Sequence, residues 1–301
     1  MEIKIVITKQ NKERVLKLID QLVECEAEGI AKEPKERAVF EFPEVSISPN
    51  SFRNLPEIEN IKFAESEIAQ SMFGTWGMFN SYVPGKAALR VLCSLIIKSE
   101  KPVRFSDLVD ECIVYFSRSE LYKYRGFPKK AGESARGRLA THLILPYHEM
   151  GLMKISGDRK DLHVMITQEG FTFAKLRNPL LDEGDKSKFL SEEEAAWLIN
   201  HLKRIDKLGY REFSILNDLV NFLGGADRRF IDIVNWFKSN QKFVDWLRTG
   251  SRHKDDPKAF SSQLHNVGRT FATGKIALLR ELGILTASRA KYHVLRSLEV
   301  S

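Results

Sequence analysis

At Gly151 the hydrophobic period of the chain changes from helical to alternating. Upstream, apolar residues recur three and four apart; downstream, Leu152-Met153-Lys154-Ile155 and Leu162 to Ile166 read as two strands about a turn at Ser156-Gly157-Asp158-Arg159-Lys160-Asp161. A helix that stops on a glycine and passes straight into a hairpin admits few folds, because Gly is the residue that tolerates the left-handed helix exit. The pattern recurs near the C-terminus. Arg280-Glu281-Leu282-Gly283-Ile284-Leu285 parallels His148-Glu149-Met150-Gly151-Leu152-Met153, and Arg289-Ala290-Lys291-Tyr292-His293-Val294 parallels Arg159-Lys160-Asp161-Leu162-His163-Val164. Eleven residues separate Gly from His-Val in the first copy and nine in the second, a difference that a two-residue shorter hairpin tip would explain.

Helices precede each hairpin. Residues 86–98 carry Ala88, Val91, Leu92, Leu95 and Ile96 as an apolar stripe, with Cys93 beside it as a small core residue. Ser106 is placed to cap a helix from Asp107 to about Phe116, with Leu108, Cys112, Ile113 and Phe116 inward. A third helix is expected from Glu133 toward Leu145, where Pro146 must kink or restart it. Thr167 caps a helix beginning at Gln168. Further helices are expected at 191–206, opened by Ser191 and three glutamates, and at 211–223, 227–247 and 258–282. The aromatic residues Trp236, Phe237, Phe243 and Trp246 follow helical spacing and read as core or as an interface. Residues 2–8 and 38–42 read as short strands flanking a helix that reaches Gly29, and 43–60 as a loop.

Three cysteines in 301 residues, none in a CxxC pair, argue against a disulfide scaffold and a thiolate zinc site, so a reducing, cytoplasmic setting is expected. No apolar run approaches a membrane span, and the first residues do not resemble a signal peptide. The net charge of +7 is uneven: residues 1–80 carry 10 basic and 14 acidic side chains, residues 81–180 carry 17 and 10, and residues 181–301 carry 20 and 16. A basic middle points to a polyanionic partner.

Three helices, a hairpin and a following helix, in that order, resemble the winged helix-turn-helix superfamily over residues 86–178, and more weakly over the C-terminal copy. The segments that carry the resemblance are His148 to Met153 and Met165-Ile166-Thr167-Gln168-Glu169-Gly170. The expected fold is therefore mainly α with small β-hairpins (α+β): a small α+β unit over 1–80, a winged-helix domain over 81–178, and a helical domain over 179–301 ending in a second winged-helix-like module.

Residues 118–138 hold seven basic residues (Arg118, Lys123, Arg125, Lys129, Lys130, Arg136, Arg138) against Glu120 and Glu133, with Tyr122, Tyr124 and Phe127 interleaved. Dense Lys and Arg give salt-dependent affinity for phosphates, and Tyr can stack or donate. Placing Leu139 and Leu143 inward turns Ser134, Arg138 and Thr141 outward on the helix that the resemblance makes the recognition helix, with Arg136 flanking. Arg159 and Lys160 sit at the hairpin tip. In the second copy Arg269, Thr270, Thr273 and Lys275 hold the equivalent helix, and Arg289 and Lys291 the tip. Gly268 to Ile276 imitates a phosphate loop but has five residues between its glycines and Ile276 where Ser or Thr is required. No HExxH, no nucleophile elbow and no convergent carboxylate set is present.

The expected function is binding of duplex DNA as a regulator or DNA-recruiting subunit of a larger complex. Most of the binding falls to the first module, with no catalysis, cofactor or metal and no membrane partner. Residues 1–80 or 230–247 would serve protein partners or self-association. The alternatives are a winged-helix docking adaptor of a chromosome-associated or defence complex, and a nuclease with its site within 1–80.

Overall fold

The computed structural model describes residues 62–98, 102–119, 121–124, 127, 133–158, 161–185, 189–224, 228–288 and 291–298. The strands and helix expected within residues 2–42, and the loop at 43–60, lie outside them. The described chain is mainly helical with two small antiparallel three-stranded sheets.

Helix α1 (Val83–Lys98) runs through the centre, and its residues 83–93 are buried on all sides, Lys86 and Arg90 included. Strand β1 (Val103–Arg104) passes directly into α2 (Phe105–Arg118). The helix therefore starts two residues earlier than expected. Ser106 lies inside it and is not the cap, because pairing of Val103 and Arg104 with the hairpin sets where the backbone turns. Leu108, Cys112 and Phe116 face inward as the spacing requires. The third helix comes in three pieces: α3 (Glu133–Leu139), a π segment (Ala140–Ile144) and α4 (Leu145–Glu149), with Pro146 in the first turn of α4. The π segment accommodates the amide that Pro146 lacks without ending the rod. Gly151 then takes φ 71°, and the hairpin of β2 (Met153–Asp158) and β3 (Asp161–Ile166) follows. Thr167 caps α5 (Gln168–Lys175), its hydroxyl accepting the Gly170 N–H at 3.1 Å. The sheet order is β1-β3-β2.

Short α6 (Pro179–Glu183) leads to α7 (Glu192–Asp206), where Ser191 and Glu194 form a reciprocal capping box. The order of the first unit then returns: α8 (Glu212–Gly224), β4 (Arg228–Arg229), α9 (Phe230–Ser239), α10 (Gln241–Gly250), α11 (Pro257–Glu281), and the hairpin of β5 (Leu285–Ser288) and β6 (Lys291–Val294). Gly283 takes φ 69°, and the sheet order β4-β6-β5 matches that of the first sheet. The single helix expected over 227–247 is a strand and two helices, because Asn240 is extended and caps α10 by accepting the Phe243 N–H. The apolar spacing continues across that break since both helices pack on one core. The hairpins also differ from expectation. Asp158 pairs with Asp161 and Ser288 with Lys291, so two residues separate the paired ends in each. The longer first hairpin gains its extra pairs at the base instead of the tip.

Residues 62–80, expected to belong with the N-terminal unit, instead form a strap across both halves. Ala64 bridges Thr167, the Ala69 amide donates to the Glu149 carbonyl, and Ser71 bridges Tyr210. Phe73 and Trp76 enter an aromatic cluster with Phe243, Trp246 and Phe271, ring centroids 5.2 to 5.8 Å apart. Phe237 and Phe243 are buried there, which makes the 230–247 aromatics core residues, with Trp236 and Trp246 half-buried at the margin. The strap crosses α11 where two glycines meet: a Cβ on Gly274 would lie 2.4 Å from the Gly77 carbonyl oxygen.

Candidate nucleic-acid interface

Three buried ion pairs hold the frame that carries the candidate surface. Lys86 pairs with Glu194, which also accepts from Asn178 Nδ2 at 3.0 Å. Burial drives the Lys86 ammonium down to about 8, while Glu194 pulls in the opposite direction. Arg90 makes a two-pronged contact with Asp182 at 2.6 and 3.0 Å. Lys275 contacts both oxygens of Glu212 at 2.7 and 2.8 Å and the Thr75 hydroxyl at 3.0 Å. Lys275 is 0% exposed, so its expected contact with nucleic acid is corrected. Its charge is already neutralised, and the strap covers it.

The remaining expected contact residues divide by what surrounds them. Arg118, Lys123 and Arg138 are exposed on the first unit, Lys123 lying over the Tyr122 ring. Tyr124 is half-buried and packs against the core. Arg136 is paired with Asp110 of α2, and Thr141 donates to the Gly137 carbonyl of its own helix. In the second unit Arg269, Thr273 and Lys291 are exposed and Thr270 half-buried; both threonine hydroxyls donate one turn back, to Arg269 and Asn266. Arg125, Lys129, Lys130, Arg159, Lys160 and Arg289, and the side chain of Ser134, lie outside the described residues.

Helix α11 gathers features that residue-by-residue reading missed. Among its 25 residues the one carboxylate is Glu281, at its end. Lys258, Ser262, Asn266, Arg269 and Thr273 recur three or four apart, all exposed, and so form one polar stripe. On the opposite side Gly268, Phe271, Ala272, Lys275 and Leu279 are buried. The N-terminus of α11 is capped by Asp256, which accepts from the amides of Lys258 and Ala259 at 3.0 Å. The signal was available in the sequence as an absence: no Asp or Glu occurs from 257 to 280 in a chain that has 40 of them.

The two hairpins also differ in charge. Asp158 and Asp161 face each other at the end of the first, and Asp161 lies 3.9 Å from Arg104 and 3.6 Å from His163. At the same places in the second stand Ser288 and Lys291, and Lys291 lies opposite Arg229 of β4. Arg229 has a carboxylate beside it, Asp232 Oδ2 lying 3.9 Å from its Nε. Among the described residues no group of three or more His, Cys, Asp or Glu is arranged to hold a metal ion, and no helix is long and apolar enough to cross a membrane.

No protein-family model, curated protein or solved structure matches this chain significantly.

Proposed function

We propose that the protein binds duplex DNA through two winged-helix modules, over 81–178 and 179–301, as a regulator or DNA-recruiting subunit without catalysis of its own. The observation that carries this reading is the stripe on α11 from Lys258 to Thr273: an exposed helical face of hydroxyl, amide and cationic side chains with no carboxylate. A face of this kind meets phosphate without repulsion and brings hydrogen-bonding groups to base edges. The shared order of helix, short strand, helices and hairpin, with the short strand on the outer side of the returning one, supports the winged-helix assignment. Arg118, Lys123 and Arg138 on the first unit add phosphate contacts.

A salt-titrated gel shift with duplex and single-stranded probes tests this. Duplex affinity falls steeply with salt, and the double variant Arg118→Ala, Arg138→Ala lowers the slope by about 0.9 for each phosphate that is no longer neutralised. The DNA remains intact in magnesium. Absence of duplex binding at low salt refutes the reading. It would favour a docking adaptor, for which Met72 and Met78, 55% and 47% exposed on the strap beside Trp76, supply an apolar surface.

A further inference from the structure

We propose that the second unit, and not the first, reads the sequence of the duplex, with Asn266 and Arg269 as the base-reading pair. The inference rests on the DNA-binding function proposed above. Both residues are exposed and lie three apart on one face of α11, and neither forms a side-chain hydrogen bond or ion pair with any other described residue. Among the described residues their donors and acceptors are therefore unengaged. An Asn amide matches the paired acceptor and donor of adenine, and a guanidinium matches the two acceptors of guanine in the major groove.

What surrounds them matters as much. Ser262, Thr270 and Thr273 are small, so the helix can approach a groove closely. The hydroxyls of Thr270 and Thr273 donate to the carbonyls of Asn266 and Arg269, which keeps them folded against the helix beside the two readers. Gly268, between the readers in sequence, lies against Val234, Phe237 and Lys238 of α9, so α11 is seated firmly on the helix behind it. Lys275 and Glu281, further along, fix the same helix to the strap and to the start of α1. The equivalent rod of the first unit offers less. Arg136 is held by Asp110, α3 covers seven residues before the π segment, and two facing aspartates flank the hairpin tip. Exposed Arg138 there suits a phosphate contact.

Selection from a randomised duplex pool with the full chain decides it. The wild-type protein enriches a motif. Asn266→Ala and Arg269→Ala each reduce the preference for that motif over random duplex by roughly 5- to 100-fold, with affinity for random duplex nearly unchanged. Arg269→Lys, which keeps the charge but not the fork, reduces preference like Arg269→Ala. Arg138→Ala weakens motif and random duplex alike. Both readers are exposed, so unaltered circular dichroism and melting confirm folding. Binding without any enriched motif, or a preference that survives both alanine variants, overturns the inference while leaving DNA binding intact. Failure of the wild-type protein to bind any duplex overturns the DNA-binding reading as well.

Discussion

Lys275 occupies a helix position that reads as surface charge until the strap is laid over it. Once buried, the ammonium and the Glu212 carboxylate depend on each other and on Thr75. Removing one partner leaves an uncompensated charge in the interior, a loss of ~3–5 kcal/mol. Lys275→Met therefore lowers the urea midpoint sharply, and adding Glu212→Gln recovers much of that loss; equal midpoints for wild type and Lys275→Met would contradict the buried pair. His201 behaves as the opposite kind of buried group, one kept neutral. Its Nε2 is bonded to the Met150 carbonyl at 2.9 Å, its Nδ1 accepts from Arg204, and its ring stacks on Trp197. Burial drives its pKa down to about 4. Below the unfolded value of ~6.5 the unfolded chain takes up a proton that the native ring refuses. The contribution is thus complete above that pH, is lost as pH falls toward 4, and amounts to about 3 kcal/mol. His201→Gln flattens that part of the pH profile in urea titrations. A profile unchanged by the substitution would show that His201 is not the group responsible. His148, also buried with its pKa lowered, adds a loss of the same sign.

Helices here begin and end where distant groups allow. α1 has no acidic residue in its first turn, and its entry is served by Glu281, which accepts from the Tyr82 amide and the Ser81 hydroxyl at 2.7 Å each. A carboxylate at a helix N-terminus satisfies free amides and complements the dipole. Glu281→Ala costs ~1–3 kcal/mol, and Glu281→Gln, which still accepts, costs less; the two are separated by thermal melting. The strap and α11 meet at glycines for a steric reason. A Cβ on Gly77 would lie 2.7 Å from the Phe271 amide nitrogen, matching the clash expected at Gly274. Gly274→Ala consequently lifts the strap, and limited proteolysis near residues 71–80 reports it. Unchanged protection there would count against so close a crossing.

Across the molecule, one continuous core of buried residues joins both sheets, α1, α7, α8 and the strap. Lys86 and Arg90 of α1 tie it to α7 and α6, and Glu281 of α11 ties the second unit to the start of the first. A split at a linker near residue 180 would leave these charges buried without partners. The described units therefore unfold together: tryptophan fluorescence and far-ultraviolet circular dichroism give coincident transitions in urea. Two resolved transitions would instead mean that the units are separable.

Local chemistry was legible wherever neighbours in sequence are also neighbours in space. The helix-Gly-hairpin junctions at Gly151 and Gly283, the caps at Thr167 and Ser191, the restart at Pro146 and the inward faces through Leu108, Leu139 and Leu143 depend on spacings of a few residues, so the sequence alone determined them. The polar stripe of α11 was legible too, though as missing carboxylates instead of a motif. Tertiary structure decided the rest. The short strands β1 and β4 have too few residues to carry a period, and their pairing moved the start of α2 and took residues 228 and 229 out of the helix expected over 227–247. The path of residues 62–80, the burial of Lys86, Arg90 and Lys275, and the capping of α1 by Glu281 join residues up to 200 positions apart. A charged side chain has the same local signature whether water or a carboxylate from the far end of the chain surrounds it, and long-range packing alone makes that choice.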